Sequence, residues 1–125
     1  MGRTQLAVTP RSAREARRLV GAALSRRQLP AEMTDVAELL TSELVTNAMQ
    51  HATTAAVSLA VDVEGGSVRV EVGDDDPTPL KRSAGGAEAA SGRGLGMVEV
   101  LATAWGVTAP VDEVGKRVWF ILAPP

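Results

Sequence analysis

Glu43-Leu44-Val45-Thr46-Asn47-Ala48-Met49-Gln50-His51-Ala52 closes a run that starts just after Pro30. At about 100° per residue, Met33, Val36, Ala37, Leu40, Leu44 and Ala48 fall on one apolar arc, which predicts a helix over 32–51. Asn47 points inside that arc and Glu43 sits at its margin. The two are four apart, so their side chains are neighbours. A core-facing carboxylate and amide are costly to bury without a partner. A metal ion with phosphates would satisfy them, since hard cations take oxygen ligands. Water or a neighbouring backbone at the helix edge would also serve.

Working outward, residues 53–63 alternate, with Ala55, Val57, Leu59 and Val61 on one side. Glu64-Gly65-Gly66-Ser67 is a hairpin turn signal, and Val68, Val70 and Val72 alternate beyond it. This predicts an antiparallel pair with one face on the core. Upstream, Gln5–Val8 reads as a short strand and 11–28 as a helix. Ser12 and Glu15 form a capping-box pattern at its start. Ala16, Leu19, Val20, Ala23 and Leu24 make the apolar face, and Arg14, Arg17, Arg18, Arg26 and Arg27 fall mostly opposite, as a solvated face.

Downstream the alternation stops at Asp74-Asp75-Asp76-Pro77-Thr78-Pro79, which does not continue a sheet interior. Asp74 stands at a strand end, where ligand-binding residues gather. Its carboxylate accepts hydrogen bonds such as that from an exocyclic amine. A charged turn is the plainer reading of the same residues. Residues 81–93 have no apolar periodicity and read as one long loop, of the kind that serves as a lid or stays disordered. Gly92-Arg93-Gly94-Leu95-Gly96 then opens a third helix, with Met97, Val98, Leu101 and Ala104 on one face. Helix N-termini favour phosphate, and glycines let the backbone approach an anion. A linker followed by a helix start has the same composition. Residues 105–111 and 116–122 make a closing hairpin.

The order is strand, helix, helix, two strands, loop, helix, two strands. It predicts one domain over 1–125: a two-layer α/β sandwich, with helices on one face of a mixed, mostly antiparallel sheet. With 125 residues the chain buries a sizeable core without staples. It has no cysteine, which excludes disulfides and cysteine-bound zinc. A net charge of -2 and a single Phe, two Trp and no Tyr argue against direct nucleic-acid binding. No run reaches the roughly 20 apolar residues of a membrane span, and the N-terminus lacks a signal-peptide run. A cytoplasmic protein without a membrane association is expected.

Taken together, these motifs resemble the gyrase, histidine kinase and MutL (GHKL) ATPase superfamily, whose nucleotide site is the Bergerat fold. Within it the chain is most similar to bacterial anti-sigma factor serine/threonine kinases of the actinobacterial regulator type. Glu43-Leu44-Val45-Thr46-Asn47-Ala48 matches the N box. By that resemblance Asn47 ligands Mg²⁺ and Glu43 is the general base. Asp74 takes the place of the aspartate that binds the adenine amino group of ATP. Gly92, Gly94 and Gly96 match the glycine box, with Arg93 and Leu95 between them, and 81–91 is the ATP lid. Asp76 and Thr78 stand where the family often has glycines. The resemblance implies a sigma factor and an anti-sigma factor antagonist as partners, and a homodimer. Two functions follow from it: phosphorylation of the antagonist, or an ATP-dependent protein-binding switch without catalysis. The lone His51 reads as a helix-end residue that packs and hydrogen-bonds.

Overall fold

Strand β1 (Arg3–Ala7) leads into helices α1 (Ser12–Arg26) and α2 (Ala31–His51). Strands β2 (Ala56–Glu64) and β3 (Ser67–Asp74) follow, then α3 (Arg93–Leu101), β4 (Ala104–Thr108) and β5 (Lys116–Leu122). The structure, a computed structural model, describes residues 3–51, 56–75, 93–109 and 115–124. The predicted lid at 81–91, Gly92, Asp76 and Thr78, and the side chains of His51, Arg93 and Gly94 lie outside what is described.

The five strands form one sheet in the order β1-β2-β3-β5-β4, and every pairing is antiparallel. The three helices among the described residues lie on one face, giving the two-layer α/β sandwich expected. The strand period of two explains why one face is covered. Leu6, Val57, Val68, Val70, Val72, Val118, Phe120 and Leu122 point inward and are buried. From α2, Ala37, Leu40, Leu44 and Val45 meet them, with Val20 and Leu24 from α1 and Val98 from α3. The β2–β3 hairpin turns on Gly65 and Gly66, at φ 59° and 82°. A two-residue turn with both φ positive matches the twist of paired strands, and glycine adopts it without strain.

The chain passes from α1 to α2 through a tight C-cap. The Gln28 amide donates to the Ser25 carbonyl at 3.0 Å and the Leu29 amide to the Leu24 carbonyl at 3.1 Å. This is a Schellman arrangement, and it sets Gln28 at φ 58°. Arg14, Arg18, Arg26 and Arg27 are exposed, as the helical pattern predicts.

Three local expectations are corrected. Ser12 does not cap α1: it is the first helical residue and is buried. Its hydroxyl donates to the Ala7 carbonyl and accepts from the Thr9 amide, tying the helix back to β1 instead. Leu19 is exposed, because α1 covers the sheet with only part of its apolar stripe. The inward face of α3 is carried by Leu95 and Val98, while Met97 and Leu101 are exposed and Ala104 already belongs to β4. A nine-residue helix that touches α2 along one line buries a narrow stripe.

Candidate functional site

Register and period decide which residues share the site's end of the molecule. The inward row of β3 runs Val68, Val70, Val72, and its next member is Asp74. The inward row of β5 runs Leu122, Phe120, Val118, and its next member is Lys116. Asp74 and Lys116 are the terminal partners of that ladder, so both lie on the helix-covered face.

The opposite end of the layer fixes the direction of the helices. A cavity of about 230 Å³ there is lined by Pro30, Met33 and Val36 of the α2 start, Leu101 and Thr103 at the α3 end, and Leu122. α2 therefore runs away from the cavity while α3 and β5 run toward it, so the end of α2 and the starts of α3 and β5 all lie at the far end. Asn47 lies about 21 Å along α2 from Met33, at about 1.5 Å per residue. Lys116 lies about 20 Å along β5 from Leu122, at about 3.3 Å per residue. The first turn of α3, with Arg93, Gly94, Leu95 and Gly96, also faces away from the cavity. Because α2 packs against both β3 and α3, the structure brings Asn47, Asp74 and the start of α3 to one end of the layer.

Asn47 is 6% exposed, and its Oδ1 finds no hydrogen-bond partner among the described residues. A buried, unmet carbonyl oxygen is a group that asks for a ligand. It suits Mg²⁺, which takes oxygen donors and completes its shell with phosphate and water. No cluster of three or more His, Cys, Asp or Glu side chains suited to a metal occurs among the described residues. Among the described residues Thr41 Oγ1, further back on α2, is the other buried side-chain oxygen without a partner. Glu43 is half-buried, one turn before Asn47. Gly96 is exposed, and a β-carbon on it would meet nothing within 4 Å among the described residues. The N–H groups of a helix's first turn have no partner within the helix and point out of its N-terminus, here toward that end. Leu95 is buried and anchors the turn.

The Asp74 carboxylate is enclosed. Its side chain is 3% exposed, and Lys116 Nζ donates to Oδ1 at 3.2 Å. Lys116, itself 6% exposed, was not recognised from sequence, where it is only the first residue of a closing strand. The signal was the hairpin register, which sequence spacing across an undetermined loop does not give. On the outer sheet face Glu71 is also enclosed, 8% exposed at the side chain, by Arg3, Arg69 and Arg117. Burial pushes its carboxyl up, but hydrogen bonds from Arg3 and Arg69 and their charges hold it below the usual value.

A model of the histidine kinase-like ATPase domain matches residues 6–122. The chain belongs to the histidine kinase-like ATPase domain family. This ATPase domain also resembles the histidine kinase domain of the blue-light activated histidine kinase EL346 from Erythrobacter litoralis. The two are 26% identical with a TM-score of 0.49, over 74% of this chain and 45% of that one. The ATPase domain thus spans less than half the length of that structure. No curated protein matches it. None of its described helices is long and apolar enough to cross a membrane.

Proposed function

We propose that this ATPase domain binds Mg-ATP at the end of the layer that carries Asn47, Asp74 and the α3 start. It then transfers the γ-phosphoryl group to a serine or threonine of an anti-sigma factor antagonist protein, and holds a sigma factor when not so engaged. The buried, unpartnered Oδ1 of Asn47 carries this reading. Asn47 would ligand Mg²⁺, Asp74 would accept from the adenine amine, and the Gly92–Gly96 segment would receive the phosphates at a helix N-terminus. Glu43, one turn from the metal ligand, would take the proton of the acceptor hydroxyl. Phosphoryl transfer needs little more from a protein than such positioning and charge stabilisation.

The test is calorimetry with Mg-ATP, followed by incubation with labelled ATP and antagonist-type proteins. Transfer of label to serine or threonine, lost in Glu43→Ala while ATP affinity stays, supports the kinase reading. ATP binding with no transfer to any antagonist defeats it and leaves a nucleotide-dependent binding switch. Absence of ATP binding defeats both.

A further inference from the structure

An open apolar groove runs between α2 and α3. Its deepest part is the cavity of about 230 Å³ walled by Met33 and Val36 of α2, Leu101 of α3 and Leu122 of β5. α2 leaves this cavity and α3 approaches it. One turn away from it, Leu39 therefore follows Val36 on one bank and Met97 precedes Leu101 on the other. Val100, one turn after Met97, is 80% exposed, and Leu39, Met97 and Leu101 are exposed as well. Exposed apolar side chains standing singly are ordinary, but a contiguous run of them beside a cavity marks an interaction surface.

The α2 bank is acidic. Glu32 borders the cavity, and Asp35 comes one turn before Leu39. Both are exposed, and neither joins an ion pair among the described residues. α2 contains no Lys or Arg, and α3 contains none after Arg93.

We propose that this groove docks an amphipathic helix of a partner protein, one with an apolar stripe at helical spacing and Lys or Arg along the flank that meets Glu32 and Asp35. The surface stands apart from the nucleotide-site reading, because its cavity lies at the other end of the layer. Two helices running in opposite directions leave a furrow that a third helix fills with anchors one turn apart. A cavity of about 150 Å³ takes a benzene ring, so this one admits a Leu or Phe side chain. Cationic flanks complement the unpaired carboxylates, which repel an acidic helix. The same carboxylates oppose an anionic lipid surface. A second copy fits poorly: its basic helix α1 buries Ala16, Val20, Ala23 and Leu24 in its own core and offers Leu19 alone as an anchor.

The experiment measures fluorescence anisotropy of a labelled Leu-striped, Lys-flanked peptide about 18 residues long, beside a Glu-flanked counterpart and a scrambled sequence. The proteins are the wild type, Val100→Glu, Leu39→Gln and Glu32→Gln/Asp35→Asn, with melting temperatures confirming that each is folded. The Lys-flanked peptide binds the wild type, and the other two bind about tenfold more weakly or worse. Val100→Glu and Leu39→Gln each weaken it about tenfold, the scale of one buried apolar anchor. Glu32→Gln/Asp35→Asn weakens it about threefold at low salt, as exposed ion pairs do. Attraction by charge alone would instead be strengthened by the acid added in Val100→Glu, and that result overturns the inference. No binding of the Lys-flanked peptide, equal binding of the three peptides, or wild-type affinity in both Val100→Glu and Leu39→Gln overturns it too. Sedimentation showing self-association that Val100→Glu abolishes assigns the groove to a second copy. Binding to phosphatidylserine vesicles that the same variant abolishes assigns it to a membrane. Either result overturns the inference.

Discussion

Gly115 faces the backbone of Asp74 so closely that a β-carbon on it would overlap the Asp74 carbonyl oxygen. Its φ of 108° is also one that side-chain-bearing residues avoid. Gly115→Ala is therefore expected to cost about 2 kcal/mol or more and to part the strand ends that carry Asp74 and Lys116. Urea unfolding reads the stability, and Mg-ATP titration should show affinity falling along with it.

Asn47→Ala should separate binding from folding. The variant removes a buried oxygen that has no described partner, so little native hydrogen bonding is lost. Stability is expected to stay within about 1 kcal/mol of wild type, while Mg-ATP affinity drops by about tenfold or more. Thermal melts with and without nucleotide check both. A variant that keeps wild-type affinity removes Asn47 from the site.

Gln28→Gly should stabilise the chain. Gln28 occupies the left-handed position of the C-cap after α1, at φ 58° and exposed, so its side chain contributes strain and little packing. The expected gain is about 0.5–1 kcal/mol, read as a raised melting temperature. Nucleotide affinity should not change, since the α1–α2 junction lies beside Pro30 at the far end of the layer.

Glu71 gives the domain an acid sensitivity. Its folded carboxyl is held below the ordinary value, near 4.3 in an unfolded chain, so the unfolded state binds more protons in that window. Its stabilising contribution is complete above about pH 5 and is lost as pH falls through the lower folded value. Glu71→Gln should make the melting temperature less dependent on pH below about pH 5. The effect is modest, because Arg3 and Arg69 are partly exposed. A pH profile identical to wild type would show that the arginines hold no charged Glu71.

The parts of this fold that were legible in the sequence are the strongly periodic ones. The α2 arc through Ala37, Leu40, Leu44 and Ala48 is buried as the 3.6-residue spacing requires. The Gly65-Gly66 turn and the Val68, Val70, Val72 row follow from chemistry local to a few residues. What was missed depends on contacts far along the chain. Ser12 turned away from its own helix because the Ala7 carbonyl stood nearer. β1 runs Arg3–Ala7 rather than 5–8, since Arg3 reaches Glu71 and Ser58 across the sheet and extends the ladder. Glu71 alternates with Val70 and Val72 and so lies on the face away from the helices, yet three arginines from three strands enclose it there. For the site, Asn47 was visible as a polar residue in an apolar arc and Asp74 as the end of an alternation. Lys116 was invisible, because its meaning lies in a rung joining residues 42 apart.

The strand order has one further outcome. β1 and β4 are the rims of the sheet, while β3 is flanked on both sides, by β2 and β5. Local opening proceeds from rims inward. The amides of Val70 and Val72 should thus be among the last to trade their protons for deuterium. A strand ending in Asp74 would keep its shape through most of the breathing that loosens β1 and β4.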